Sequence, residues 1–91
     1  MPLTPNQLHD LNEQTALRPS VLGHRIRCGW YVHEIDGSLM AFAEMRSPTQ
    51  KKMVRKVAWV DDSIASEPDI AKGFLKSIVR NLVTEQLEWG V

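Results

Sequence analysis

Several side chains in this sequence have the types and spacings that chemistry needs. His24, Cys28 and His33 fall within ten residues of one another, and together they could hold a metal or arm a thiolate. The spacing matches no zinc pattern, and the single cysteine rules out a C-x-x-C pair. On an extended strand Cys28 and His33 differ by an odd number of positions, so they point to opposite faces. A Cys28 nucleophile would therefore lack His33 as its base. Cys28 reads more simply as a small buried apolar residue. Asp61 and Asp62 could pair as carboxylates or bind a metal, but Asp is also what a strand exit and turn favour. There is no G-x-S-x-G and no phosphate-cradling glycine loop. The expectation is no catalytic set, no metal and no cofactor, hence no enzyme.

A second group mixes aromatic and basic residues. Tyr31, His33, Met40, Phe42, Arg46, Lys52 and Lys56 share one face of a predicted sheet. Rings that stack and cations that neutralise phosphate suit single-stranded nucleic acid. The same residues also suit a protein interface, since exposed apolar patches mark such surfaces. A third reading makes Tyr31, Met40 and Phe42 a minor core beneath the N-terminal helix. A further basic ridge, Lys72, Lys76 and Arg80, recurs at helical spacing. It fits a nucleic-acid backbone, or the plain solvated face that any surface helix needs.

The elements that position these residues centre on 28–60. Asp36-Gly37 lies between two alternating runs and predicts a two-residue hairpin turn. That turn pairs Ile35 with Ser38, sets Trp30 opposite Ala43 and sets Val32 opposite Ala41. Residues 47–51 form the second loop, which places Trp59 opposite Leu39 and Val57 opposite Ala41. One face then carries Cys28, Trp30, Val32, Leu39, Ala41, Ala43 and Met45, a shallow trough for a helix. The other carries Arg27, Tyr31, His33, Met40, Phe42, Glu44, Arg46, Lys52, Val54 and Lys56. A one-residue slip of the third strand would exchange Trp59 for Val60.

Helices flank this meander. Thr4, Pro5 and Gln7 form a capping box with proline at the first helical position, and Leu3 and Leu8 a hydrophobic staple. This helix runs to about Ala16 and stops before Arg18-Pro19. Ser66-Glu67-Pro68-Asp69 starts the last helix. Ile70, Phe74, Ile78 and Leu82, with Ala71, Leu75, Val79, Val83 and Leu87, make a broad apolar stripe ending near Trp89-Gly90. Residues 17–27 read either as a connector into the first strand or as a short second helix. With a second helix, residues 5–45 resemble a winged helix with Asp36-Gly37 at the wing tip. In element order the chain also resembles the double-stranded-RNA-binding domain, although Glu67-Pro68-Asp69 replaces the basic motif which that family has at its last helix. The three strands plus helix are similar to phage-integrase arm-binding domains. None of these likenesses carries a diagnostic motif.

At 91 residues the chain is read as one domain, 1–91, of α+β class with αβββα order. Eleven basic residues balance eleven acidic ones, so no global field draws it to nucleic acid or membrane. Charge is local: Arg46, Lys51, Lys52, Arg55 and Lys56 cluster without an acid, and Asp61, Asp62, Glu67 and Asp69 follow. The N-terminal MPLTPNQLHD does not read as a signal peptide, and no stretch nears the ~18 apolar residues expected of a membrane span. One cysteine favours a reducing, cytoplasmic setting. The functional expectation is a small cytoplasmic interaction protein: an accessory factor, inhibitor or regulator of a larger protein, with a homodimer as one way to cover the patch. The alternative is a nucleic-acid-binding regulator using the basic/aromatic face or a winged-helix-like N-terminal half.

Overall fold

The computed structural model describes residues 3–21, 23–47 and 50–89, with the side chains of Val21 and of 87–89 left aside. Its order is α1 (Pro5–Gln14), β1 (Ser20–Val21), β2 (His24–Arg25), β3 (Arg27–Val32), β4 (Leu39–Arg46), β5 (Met53–Val60), a 3-10 turn (Asp62–Ser66) and α2 (Pro68–Trp89). β3, β4 and β5 form an antiparallel meander with β4 in the middle. This is the α+β, αβββα layout expected from the sequence. Leu22, Pro48, Thr49 and Gly90 lie outside the described residues, as does the expected place of the Leu87 side chain in the apolar stripe.

α1 starts with the expected capping box, and α2 begins at Pro68 as expected, but Ser66 ends the 3-10 turn and its hydroxyl donates to the Ser63 carbonyl (2.8 Å) instead of capping α2. The Thr4 hydroxyl accepts from the Gln7 N–H (3.2 Å), and the Gln7 side chain accepts from the Thr4 N–H (2.9 Å). α1 does not lie over the outer face of the sheet. It packs along the edge of β3 and against the 3-10 turn, and its Leu11 enters the main core. α2 covers the other sheet face with Ala71, Leu75, Ile78, Val79 and Leu82. Ile70, placed on the stripe by periodicity, is instead exposed (58%), because it lies in the first turn.

Residues 20–25 are neither connector nor helix. Ser20 pairs with Arg25 and Val21 with His24 in a short hairpin, and Gly23 takes φ +80. Among the described residues of this segment there is no recognition helix, and the winged-helix layout is overturned.

The first meander hairpin keeps the expected faces but shifts by two residues, so that Val32 faces Leu39 and Trp30 faces Ala41. A two-residue primed turn needs positive φ at both Asp36 and Gly37. Only Gly37 has it, at φ +72. The Asp36 carboxylate instead accepts from the Ser38 N–H (3.0 Å), and a wider loop closes where the His33 N–H donates to the Ser38 carbonyl (2.8 Å).

The second hairpin slips by one residue. The Ser47 N–H donates to the Lys52 carbonyl (2.8 Å), the Ser47 hydroxyl accepts from the Gln50 N–H (3.2 Å), and Lys51 turns the chain at φ +54. Leu39 then faces Val60, and Met40 faces Trp59. A slip of one exchanges every side chain on the strand. Val54, Lys56, Ala58 and Val60 turn toward α2, while Met53, Arg55, Val57 and Trp59 turn outward. Small Ala58 joins Ala41 and Ala43 beneath the helix, where an indole would hold α2 away.

Candidate functional site

The outer sheet face is built from three short rows across the strands: Tyr31–Met40–Trp59, Gly29–Phe42–Val57 and Arg27–Glu44–Arg55. Arg46 and Met53 extend it at one end, and His33 borders it at the other. Met40 is buried within this face, whereas Met53 (58%), Val57 (45%) and Trp59 (59%) are open to solvent. The apolar surface thus runs along β5.

Charge and rings interlock on this face. The Arg55 guanidinium lies 4.8 Å from the Phe42 ring centroid and 5.2 Å from that of Tyr31. The two rings are tilted at 57° with centroids 6.0 Å apart. Glu44, mostly shielded from solvent, faces Arg27 at 3.2 Å and Arg55 at 3.8 Å. The His33 ring lies 5.2 Å from the Trp59 ring, and its Nδ1 is 3.3 Å from the Asp36 carboxylate. Arg55 therefore occupies the space over Phe42 and Tyr31 that a stacked base would need.

Of the residues singled out in the sequence, Tyr31, His33, Met40, Phe42 and Arg46 do share this face. Lys56 does not. The one-residue slip turns it to the opposite side, where its ammonium pairs with Glu85 of α2. Lys52 does not join the outer face either: exposed just before β5, it pairs with Ser47 and so has the parity of Lys56, not of that face. Sequence reasoning missed Arg55, Val57, Trp59 and Met53 because the register hid them. The available signal was Ser47, whose hydroxyl can close a turn on a neighbouring N–H and carry pairing one residue further.

The lower edge of the face rests on an exact fit between helix and strand. The Asn12 side chain accepts from the Trp30 N–H (2.9 Å) and donates to the Trp30 carbonyl (3.1 Å). It acts as a one-residue strand on the free edge of β3. Gly29 makes this approach possible, since a Cβ there would lie 2.7 Å from Asn12 Oδ1. Beneath, the Trp30 indole donates to the Thr15 hydroxyl (2.9 Å), which donates to the Leu11 carbonyl (2.6 Å). Trp30 is stacked near Phe74, centroids 6.3 Å apart.

The remaining candidates are dispersed. Cys28 faces the α2 side, away from His33, and burial pushes its thiol pKa up. Asp36 and Asp61 are held below the usual carboxylate range, chiefly by the Ser38 and Ser63 backbone N–H groups. Asp61 caps the 3-10 turn, as a strand-exit residue should. Among the described residues no three His, Cys, Asp or Glu side chains are grouped to hold a metal. On α2, Lys76 and Arg80 rim a shallow groove floored by Val79 and Val83 and closed by Leu17 and Pro19, while Lys72 is half-buried outside it. No described helix is long and apolar enough to cross a membrane. Neither the protein-family models, nor the curated proteins, nor the solved structures compared with this chain include a match.

Proposed function

We propose that this chain is a small non-enzymatic protein-interaction module, an accessory factor or regulator, and that the outer sheet face along β5 is its binding surface. The observation that carries this reading is the exposed row of Met53, Val57 and Trp59 beside the Phe42–Tyr31–Arg55 cluster. Aromatic and aliphatic side chains this open to solvent lie outside the fold's own core. Desolvated by a partner, Trp, Tyr and Arg are the residue types that dominate interface energies. The half-buried, unactivated Cys28 accords with a non-catalytic role, and a fold held without disulfides accords with a cytoplasmic one.

Nucleic acid is the second reading, favoured by exposed Arg46 at one end of the face and exposed Lys52 in the adjoining loop. It is weakened by Lys56 lying on the other side and by Arg55 being engaged with Glu44 and two rings. The basic ridge Lys72, Lys76 and Arg80 belongs to α2, on the opposite side of the sheet.

The test uses the exposed positions. Val57→Glu and Trp59→Glu should leave the melting temperature within a few degrees of wild type and abolish retention of protein partners on the immobilised chain. Lys76→Glu should retain them. Retention unchanged by the β5 variants would overturn the reading.

A further inference from the structure

The two edges of the sheet are finished differently. On β3, Asn12 and α1 cover the outward backbone groups of Trp30. On β5, the bond from Ser47 N–H to the Lys52 carbonyl sets the phase of the ladder. Pairing alternates along an antiparallel strand, so Val54, Lys56, Ala58 and Val60 exchange bonds with β4. The N–H and C=O groups of Met53, Arg55, Val57 and Trp59 point away from it. Among the described residues these groups bond to no other part of the chain. The same four residues carry the exposed side chains of the outer face.

We infer that β5 pairs edge to edge with β5 of a second copy of this chain, antiparallel about a two-fold axis at Val57, giving a continuous six-stranded sheet. This deepens the proposed use of the β5 surface and rests on it. The flanks of the strand select this occupant. Lys51 and Lys52 precede β5, and Asp61 and Asp62 follow it. An antiparallel two-fold pairing sets the basic end of each strand against the acidic end of the other.

The side chains select the register. With the axis at Val57, Val57 meets itself and Arg55 meets Trp59 of the second copy, and beyond each strand end Lys51 and Lys52 come near Asp61 and Asp62. On the helix side Val54 meets Val60 and Lys56 meets Ala58. Opposite charges and aromatic partners across strands are favourable, whereas like charges directly opposite are not. Moving the axis to Lys56 sets ammonium against ammonium, and moving it to Arg55 does the same with guanidinium. Basic side chains on an edge strand are also a common guard against such pairing. Here Glu44 and the Phe42 and Tyr31 rings engage Arg55, and Glu85 pairs with Lys56, so each basic charge is already balanced within its own chain.

Sedimentation equilibrium over a concentration series tests this, with three variants. Wild type should approach twice the 10.4 kDa chain mass. Val57→Lys, which sets two ammonium groups face to face at the axis, should stay at the monomer mass with an unchanged circular-dichroism spectrum. In a Cys28→Ala background, Val57→Cys should oxidise to a disulfide dimer, since opposed residues in a bonded pair are about 5.5 Å apart and within disulfide reach. Lys51→Cys in that background, off the axis, should not. A wild type that remains monomeric up to its solubility limit overturns the pairing. So does a dimer that survives Val57→Lys or fails to cross-link through Val57→Cys. A monomeric result leaves the interaction surface itself to be judged by partner retention, so the two claims fail separately.

Discussion

Gly29 has no room for a side chain, and this makes Asn12 a sensitive residue. Gly29→Ala drives a methyl group into Asn12 Oδ1 and against the Phe42 ring, at 2.7 and 3.3 Å. The expected cost is about 1–3 kcal/mol, the range for a polar pairing lost at a partly buried site. Denaturant unfolding should show that Asn12→Ala and Gly29→Ala are strongly non-additive, because both remove the same two bonds. Thr15→Val is expected to cost a similar ~1–3 kcal/mol, since it leaves the buried Trp30 indole N–H without its acceptor. The pH dependence follows from Asp36 and Asp61. Both have folded-state pKa values below the usual range. Their stabilisation is therefore complete above the unfolded value of about 4 and is lost as pH falls through the lowered folded value. The melting temperature of wild type should drop more steeply below about pH 4 than that of the Asp36→Asn, Asp61→Asn double variant. Asp36 and Asp61 were legible as turn residues, but the pairings of Asn12 and Thr15 with Trp30 were not. Asn12 and Thr15 read as ordinary helix positions until the edge of β3 lies beside them.

At the scale of elements, periodicity and caps located both helices and the three strands of the meander, but not the 20–25 hairpin or the 3-10 turn, and turn geometry decided the register. The Thr4–Gln7 box and the i, i+4 stripe of α2 are local patterns, so the sequence carries them openly. The strand register is not local. It depends on whether Asp36 adopts positive φ and on whether pairing extends through Ser47, choices of one residue that move whole side-chain rows. The first choice preserved the faces because it shifted the hairpin by two. The second reversed β5 and with it Lys56, Arg55 and Trp59. Two tryptophans test that reversal. Trp30→Ala should cost about 3–5 kcal/mol, as for a large core residue. Trp59→Ala should change stability by no more than about 0.5 kcal/mol, as for an exposed substitution. Equal large losses would restore the register in which Trp59 packs beneath α2. Lys56 and Glu85, which tie β5 to α2, should show a coupling energy below about 1 kcal/mol in a double-mutant cycle, given their partial exposure.

At the scale of the molecule, the sheet has one face committed to α2 and one face left open. The sequence displayed the composition of that open face through Tyr31, His33, Met40, Phe42 and Arg46. It concealed the strongest part, because Met53, Val57 and Trp59 emerge only in the realised register. The balance of eleven basic and eleven acidic residues and the internal pairing of Arg55 argue against phosphate as the main ligand. Tryptophan fluorescence titration with single- and double-stranded oligonucleotides should accordingly show no binding with a steep salt slope. The most direct measurement is photo-cross-linking in cells with benzoylphenylalanine at position 57, compared with position 77 on the exposed side of α2. The account predicts discrete protein adducts from position 57, including a two-chain species if β5 edges pair, and none from position 77. No adduct at 57, or the same adducts from both positions, would contradict the claim that the open sheet face is where this protein binds.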